Sequence, residues 1–201
     1  HIRAVLPERE LLTFRGTNEE RQAALERACQ KASGEAEKLR AILKERERLA
    51  WLAANPMMLC LIAFVHYTRR DLPRGRAALY RECVEILLEL WDKRDKELRL
   101  ESAPTLAQKE AVLRQIAYHF QVGDRREALR AELEAIIAGL LPGLGCTIGA
   151  PEFLRQIEER SGLLAERAID VLGFSHLTFQ EYLTALVFLG DETKRPELLT
   201  H

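Results

Sequence analysis

Gly173-Phe174-Ser175-His176-Leu177-Thr178-Phe179-Gln180-Glu181-Tyr182-Leu183 is the stretch whose reading decides the fold. Thr178 and Glu181 have the S/T-x-x-E spacing of a capping box, in which each side chain satisfies a backbone N–H at a helix start. Phe179, Tyr182, Leu183, Leu186 and Val187 follow at helical spacing, so one face of the helix they form belongs to a core. His176 stands two residues before the expected cap. Unpaired N–H groups and the positive end of the helix dipole favour an anion there, which makes His176 a candidate phosphate contact. A histidine in that place also serves a plain structural role, as packing or as a cap.

Working back from this helix, Leu163 to Glu166 and Val171 to Phe174 are short, bounded runs that read as a β-hairpin across 167–170. Pro151 opens a short helix that Gly162 stops. The loop 142–149, rich in glycine, ends a helix that Asp124 and Glu127 open and that carries Leu129, Leu133, Ile136, Ile137 and Leu140. Thr105 and Gln108 form a second capping box, ahead of Leu113, Ile116, Ala117 and Phe120. Three helices, a hairpin and a closing helix make a winged-helix arrangement over 99–201, with the polar joint 98–104 as its boundary. Residues 1–98 read as a helical domain, with 1–16 as a candidate linker. Within it, Thr17 or Asn18 opens a helix to about Ala32, Ser33-Gly34 breaks it, and 35–53 resumes. Asn55 caps a helix with Pro56 at its first position. Met57 to Val65 is apolar on all sides and should be buried on nearly every face. After the turn 71–75, Tyr80, Cys83, Val84, Leu87, Leu88 and Trp91 make one apolar stripe. The fold class is therefore mainly α, a helical bundle followed by a winged helix.

The 201 residues carry a net charge of −1 and are 47% hydrophobic, enough for a proper core but without a general pull toward nucleic acid or anionic membrane. The helix from Pro151 to Gly162, which a nucleic-acid reader would place in the major groove, carries Glu152, Glu158 and Glu159 against Arg155 and Arg160. That balance repels phosphate. Arg69, Arg70, Arg74 and Arg76 form the one basic cluster and read as a solvated surface, as do Glu158 and Glu159. Cys29, Cys60, Cys83 and Cys146 have no metal-type spacing. Cys60 and Cys83 fall on apolar helix faces, as buried thiols do. His66 and His119 are solitary and read as packing residues. No secretory segment is present, and Leu49 to Val65 is interrupted by Asn55-Pro56, against a membrane span. There is no phosphate loop of the G-x-x-x-x-G-K-[ST] type, no H-E-x-x-H and no G-x-S-x-G.

The 173–183 stretch resembles the F-x-H-x-x-F-Q-E-Y-L run that closes the winged-helix domain of NACHT-type NTPases, members of the STAND class of signalling ATPases. It departs just beyond, at Thr184, where alanine is more common. Asn55-Pro56-Met57-Met58-Leu59 resembles the family's N-P-L-L-L segment, and Leu72-Pro73, Arg76, Leu79-Tyr80, Leu87-Leu88 and Trp91-Asp92 keep its spacing. The resemblance implies the C-terminal part of a NACHT module, with the P-loop domain upstream of residue 1. It implies a lid that folds over ADP, opens on exchange for ATP and then permits homo-oligomerisation. His176 would contact the β-phosphate and Pro56 the base and sugar. No residue would be catalytic or bind metal, and Mg2+ would enter only through the P-loop domain. Such a piece is no enzyme alone, while the full protein would be an ATPase. A cytoplasmic setting in innate immunity, with neither nucleic acid nor membrane as partner, is the family expectation. The alternative is a helical protein-interaction module with no nucleotide role, marked by a large exposed apolar patch.

Overall fold

The computed structural model describes residues 18–97 and 104–190. It divides into two compact units, His1–Cys83 and Val84–His201, and the division falls inside one continuous helix. The expected linker 1–16 and nearly all of the expected joint 98–104 lie outside the described residues.

In the first unit α1 (Asn18–Glu45), α2 (Glu47–Ala53) and α3 (Pro56–Arg69) pack on one another, and α4 (Arg76–Glu97) begins. Ala32 and Leu39 of α1, Leu49 and Leu52 of α2, and Met58, Ile62 and Val65 of α3 make the core. The expected break at Ser33-Gly34 is absent. A glycine inside a helix costs about 1 kcal/mol, which the burial of Ala32 and Leu39 on either side readily outweighs. The chain breaks instead at Arg46, whose guanidinium donates to the carbonyls of Leu72 and Pro73 and pairs with Asp71 at 3.5 Å. Asn55 caps α3 as expected, its Oδ1 accepting the Met58 N–H at 3.3 Å.

Two expectations for α3 are corrected. Met58, Ile62, Ala63, Val65 and His66 are buried, but Pro56, Leu59, Cys60 and Tyr67 are exposed. Cys83 is fully buried, whereas Cys60 is exposed. His66 does pack, its Nδ1 lying 3.9 Å from a Glu35 carboxylate that Lys38 and Arg70 also reach. Much of the arginine cluster is engaged locally: Arg69 donates to Glu82 at 2.8 Å, Arg70 lies over Tyr67, and Arg76 lies over Tyr80.

The second unit continues with α5 (Leu106–Val122), β1 (Glu127–Leu129), α6 (Arg130–Leu140), α7 (Ala150–Gln156), β2 (Leu164–Ala168), β3 (Val171–Phe174) and α8 (Leu177–Gly190). The capping box of Thr105 and Gln108 is present at the start of α5. The expected hairpin forms, with Asp170 at φ 58° in its turn and an irregularity between Glu166 and Ala168. A third antiparallel strand joins it, in the order β1-β3-β2. This corrects the expected helix start at Asp124 and Glu127. Asp124 turns the chain at φ 48°, residues 127–129 pair with β3, and helix begins only at Arg130. Alpha-helical α7 runs on as a π turn over Ile157–Ser161, which Gly162 ends at φ 66°. Helix α5 packs lengthwise on α8, with Tyr118 edge-on to Phe188 and Phe120 edge-on to Phe174. Ile116, Phe120, Phe179 and Leu183 fill that seam.

Candidate functional site

The β3 strand delivers the chain to the mouth of α8, and two contacts fix the approach. Phe174 is buried with its ring 5.9 Å from Phe120, and the Ser175 N–H donates to the Leu163 carbonyl at 2.8 Å. His176 is the residue before α8, and its carbonyl accepts the Phe179 N–H at 3.0 Å. Its Nδ1 accepts the Thr178 N–H at 3.3 Å and lies 2.7 Å from the Thr178 hydroxyl.

The cap is therefore His176, and the expected Thr178/Glu181 capping box is corrected. Helix begins at Leu177, so Thr178 already lies within the first turn, and Glu181 is exposed. Imidazole does here what a serine or aspartate side chain does at most helix starts. One helix-mouth N–H is thereby spent on the ring. With Nδ1 accepting from the backbone, the ring proton resides on Nε2. Both side-chain hydrogen bonds of His176 among the described residues use Nδ1, so Nε2–H remains as a donor. The ring is half-buried, close enough to the core to be held and open enough to meet a ligand.

Pro56 is the first residue of α3, with its ring exposed. Pro56 belongs to the first unit and His176 to the second. One helical turn beyond His176, Gln180 is buried and donates from Nε2 to the Arg125 carbonyl at 3.2 Å, tying α8 to the turn between α5 and β1. Sequence reading passes over Gln180, although a polar residue within an apolar helix face is the signal that marks it.

Arg125 itself pairs with Glu132, whose carboxylate also lies 2.7 Å from His119 Nε2. His119 is thus a surface packing residue within an ionic cluster. A cleft of about 510 Å3 lies beside it between α5 and α6, lined by Tyr118, His119, Arg125 and Ile136, and contains neither His176 nor Pro56. On α7, Arg155 is held by Glu152 at 2.8 Å and Glu159 at 2.6 Å. Glu158, expected to face solvent, is half-buried and forms a two-pronged pair with Arg130. No helix among the described residues is long and apolar enough to cross a membrane.

A family model described as a winged helix-turn-helix domain C-terminal to NACHT matches residues 76–188, more than half of the chain. No curated protein and no solved structure matches.

Proposed function

Because this chain belongs to the family of winged helix-turn-helix domains C-terminal to NACHT, we propose that it is the regulatory lid of a NACHT-type signalling NTPase, helping to hold ADP and controlling the closed-to-open switch. The helical domain 1–98, through Pro56, and the winged-helix domain 99–201, through His176, would each contact nucleotide held by a P-loop domain upstream. The single observation that carries this reading is the division of labour in His176. Its Nδ1 is spent on the helix cap, which orients the ring, and its Nε2–H remains for an outside acceptor.

A nucleotide would supply an anionic diphosphate and a flat base. The residues present fit both. His176 Nε2–H is a donor suited to phosphate oxygen, and the exposed Pro56 ring offers a rigid apolar surface for base and sugar. A charge-assisted hydrogen bond contributes about 1.5–3 kcal/mol. If it forms only in the closed state, it biases the switch roughly tenfold to a hundredfold. In this reading none of the described residues is assigned a role as nucleophile or base. ATP hydrolysis, with Mg2+, belongs to the P-loop domain of the full protein. Release of the lid on exchange for ATP would free surfaces for homo-oligomerisation, in a cytoplasmic, innate-immune setting. Nucleic acid has no place in this reading, which draws support from the pairing of Arg155 and Arg130 by carboxylates.

The test is calorimetric ADP binding in the full chain carrying its NACHT domain, with His176 and with His176→Ala. A second reading, a helical protein-interaction module without a nucleotide role, draws on Ile169 and Leu129 near the hairpin turn, which are 90% and 59% exposed. It is favoured if ADP leaves the full chain unaffected.

A further inference from the structure

Gln180 and Thr184 lie on the buried face of α8 with Phe179, Leu183 and Val187, and each is only 3% exposed. Polar groups in such a place are normally paired, because one that loses water without gaining a partner is costly. Gln180 meets half of that requirement. Its Nε2 donates to the Arg125 carbonyl at 3.2 Å. The contact also fixes the orientation of the amide, since turning it over would set Oε1 against a second carbonyl oxygen. Gln180 Oε1 is therefore held as an acceptor. Neither it nor Thr184 Oγ1 has a hydrogen-bond partner among the described residues.

The two side chains stand at i and i+4, about 40° apart around the helix and about 6 Å apart along it. Neighbours of that kind have Cβ atoms about 5–6 Å apart. The two oxygens do not bond to each other, yet the spacing suits two hydrogen bonds of about 2.8 Å placed end to end. The group between them must donate to Gln180 Oε1, accept from the Thr184 hydroxyl and fit inside a core. A metal ion needs more oxygen ligands than these two, and no cluster of carboxylates, histidines or thiols suited to one occurs among the described residues. Water has the required chemistry, and two partners are the fewest an internal water keeps. We propose that Gln180 and Thr184 form a binding site for one internal water molecule, which donates to Gln180 Oε1 and accepts the Thr184 O–H. Through Gln180 this water braces α8 against the turn between α5 and β1, one helical turn from His176. The site stands whether or not His176 meets nucleotide.

Thr184→Val keeps the shape of the side chain and removes its hydroxyl, so the sign of its effect is diagnostic. In the full chain with its NACHT domain, hydrogen exchange read by mass spectrometry follows the α8 amides in parent and variant. Removing an oxygen that is merely unpaired relieves a cost and slows exchange. Removing one that holds water leaves Gln180 Oε1 alone, and exchange should become at least about fivefold faster. A crystal structure of the parent full chain, at a resolution that orders internal water, should also show one water within about 2.6–3.2 Å of both oxygens. Both results are required. Slower or unchanged exchange overturns the proposal, and so does a parent structure in which the Thr184 hydroxyl bonds a protein group directly with no water at the pair.

Discussion

His176 Nδ1 accepts a backbone N–H, and that one contact decides which ring nitrogen is available to a ligand. The sequence marks the same residue by its place before a helix and allows it a structural role as packing or cap, yet it assigns the helix start to Thr178 and Glu181, which match the more common pattern. Histidine caps have no spacing rule to announce them. Glu132 shows a second effect at this scale. Hydrogen bonds from Arg125 first and His119 second hold its carboxyl below its ordinary value of 4.5. The folded value lies below the unfolded one, so the stabilisation is complete above about 4.5 and is lost as pH falls through the lowered value. Urea unfolding across pH should show Glu132→Gln less stable than the parent at neutral pH, with the gap closing in acid. The effect is modest and shrinks with added salt, since the cluster is partly exposed. A gap unchanged by pH would assign the loss to packing.

Elements with local chemistry were legible, and those formed by distant pairing were not. Thr105/Gln108, Asn55-Pro56 and the hairpin all declare themselves within a few residues. In α5 the Gln108 N–H donates to Thr105 Oγ1 at 3.3 Å and Gln108 Oε1 accepts the Thr105 N–H at 2.7 Å. Thr105→Ala should therefore lower stability by about 1 kcal/mol in chemical denaturation. No loss would mean that the helix start is held by its tertiary contacts alone. Strand β1 is only three residues long, too short to show a period of two, and it exists because β3 is there to pair with it. Gly173, opposite Glu127, records the closeness of that pairing: a Cβ there would sit 2.6 Å from the Arg126 carbonyl oxygen. Gly173→Ala forces the two strands apart and should cost about 1–3 kcal/mol, as overpacking does. A variant as stable as the parent would show that the third strand adjusts freely.

For the molecule as a whole, the helical bundle and winged helix could be read from periodicity, caps and turns, and the family from the run around His176 together with Asn55-Pro56. Exposure could not. An apolar run such as Met57 to Val65 states that its faces are meant to be covered, yet it does not say by what, and Leu59 and Cys60 on α3 are exposed. The same limit applies to function, because the proposed reading relies on a P-loop domain whose residues are not among these 201. The central claim is that His176 holds the closed state through nucleotide, and one measurement reaches it directly: ADP affinity by calorimetry in the full chain, comparing His176 with His176→Ala. A loss of roughly tenfold to a hundredfold is expected from one charge-assisted hydrogen bond, whereas equal affinity in the two proteins would contradict the account.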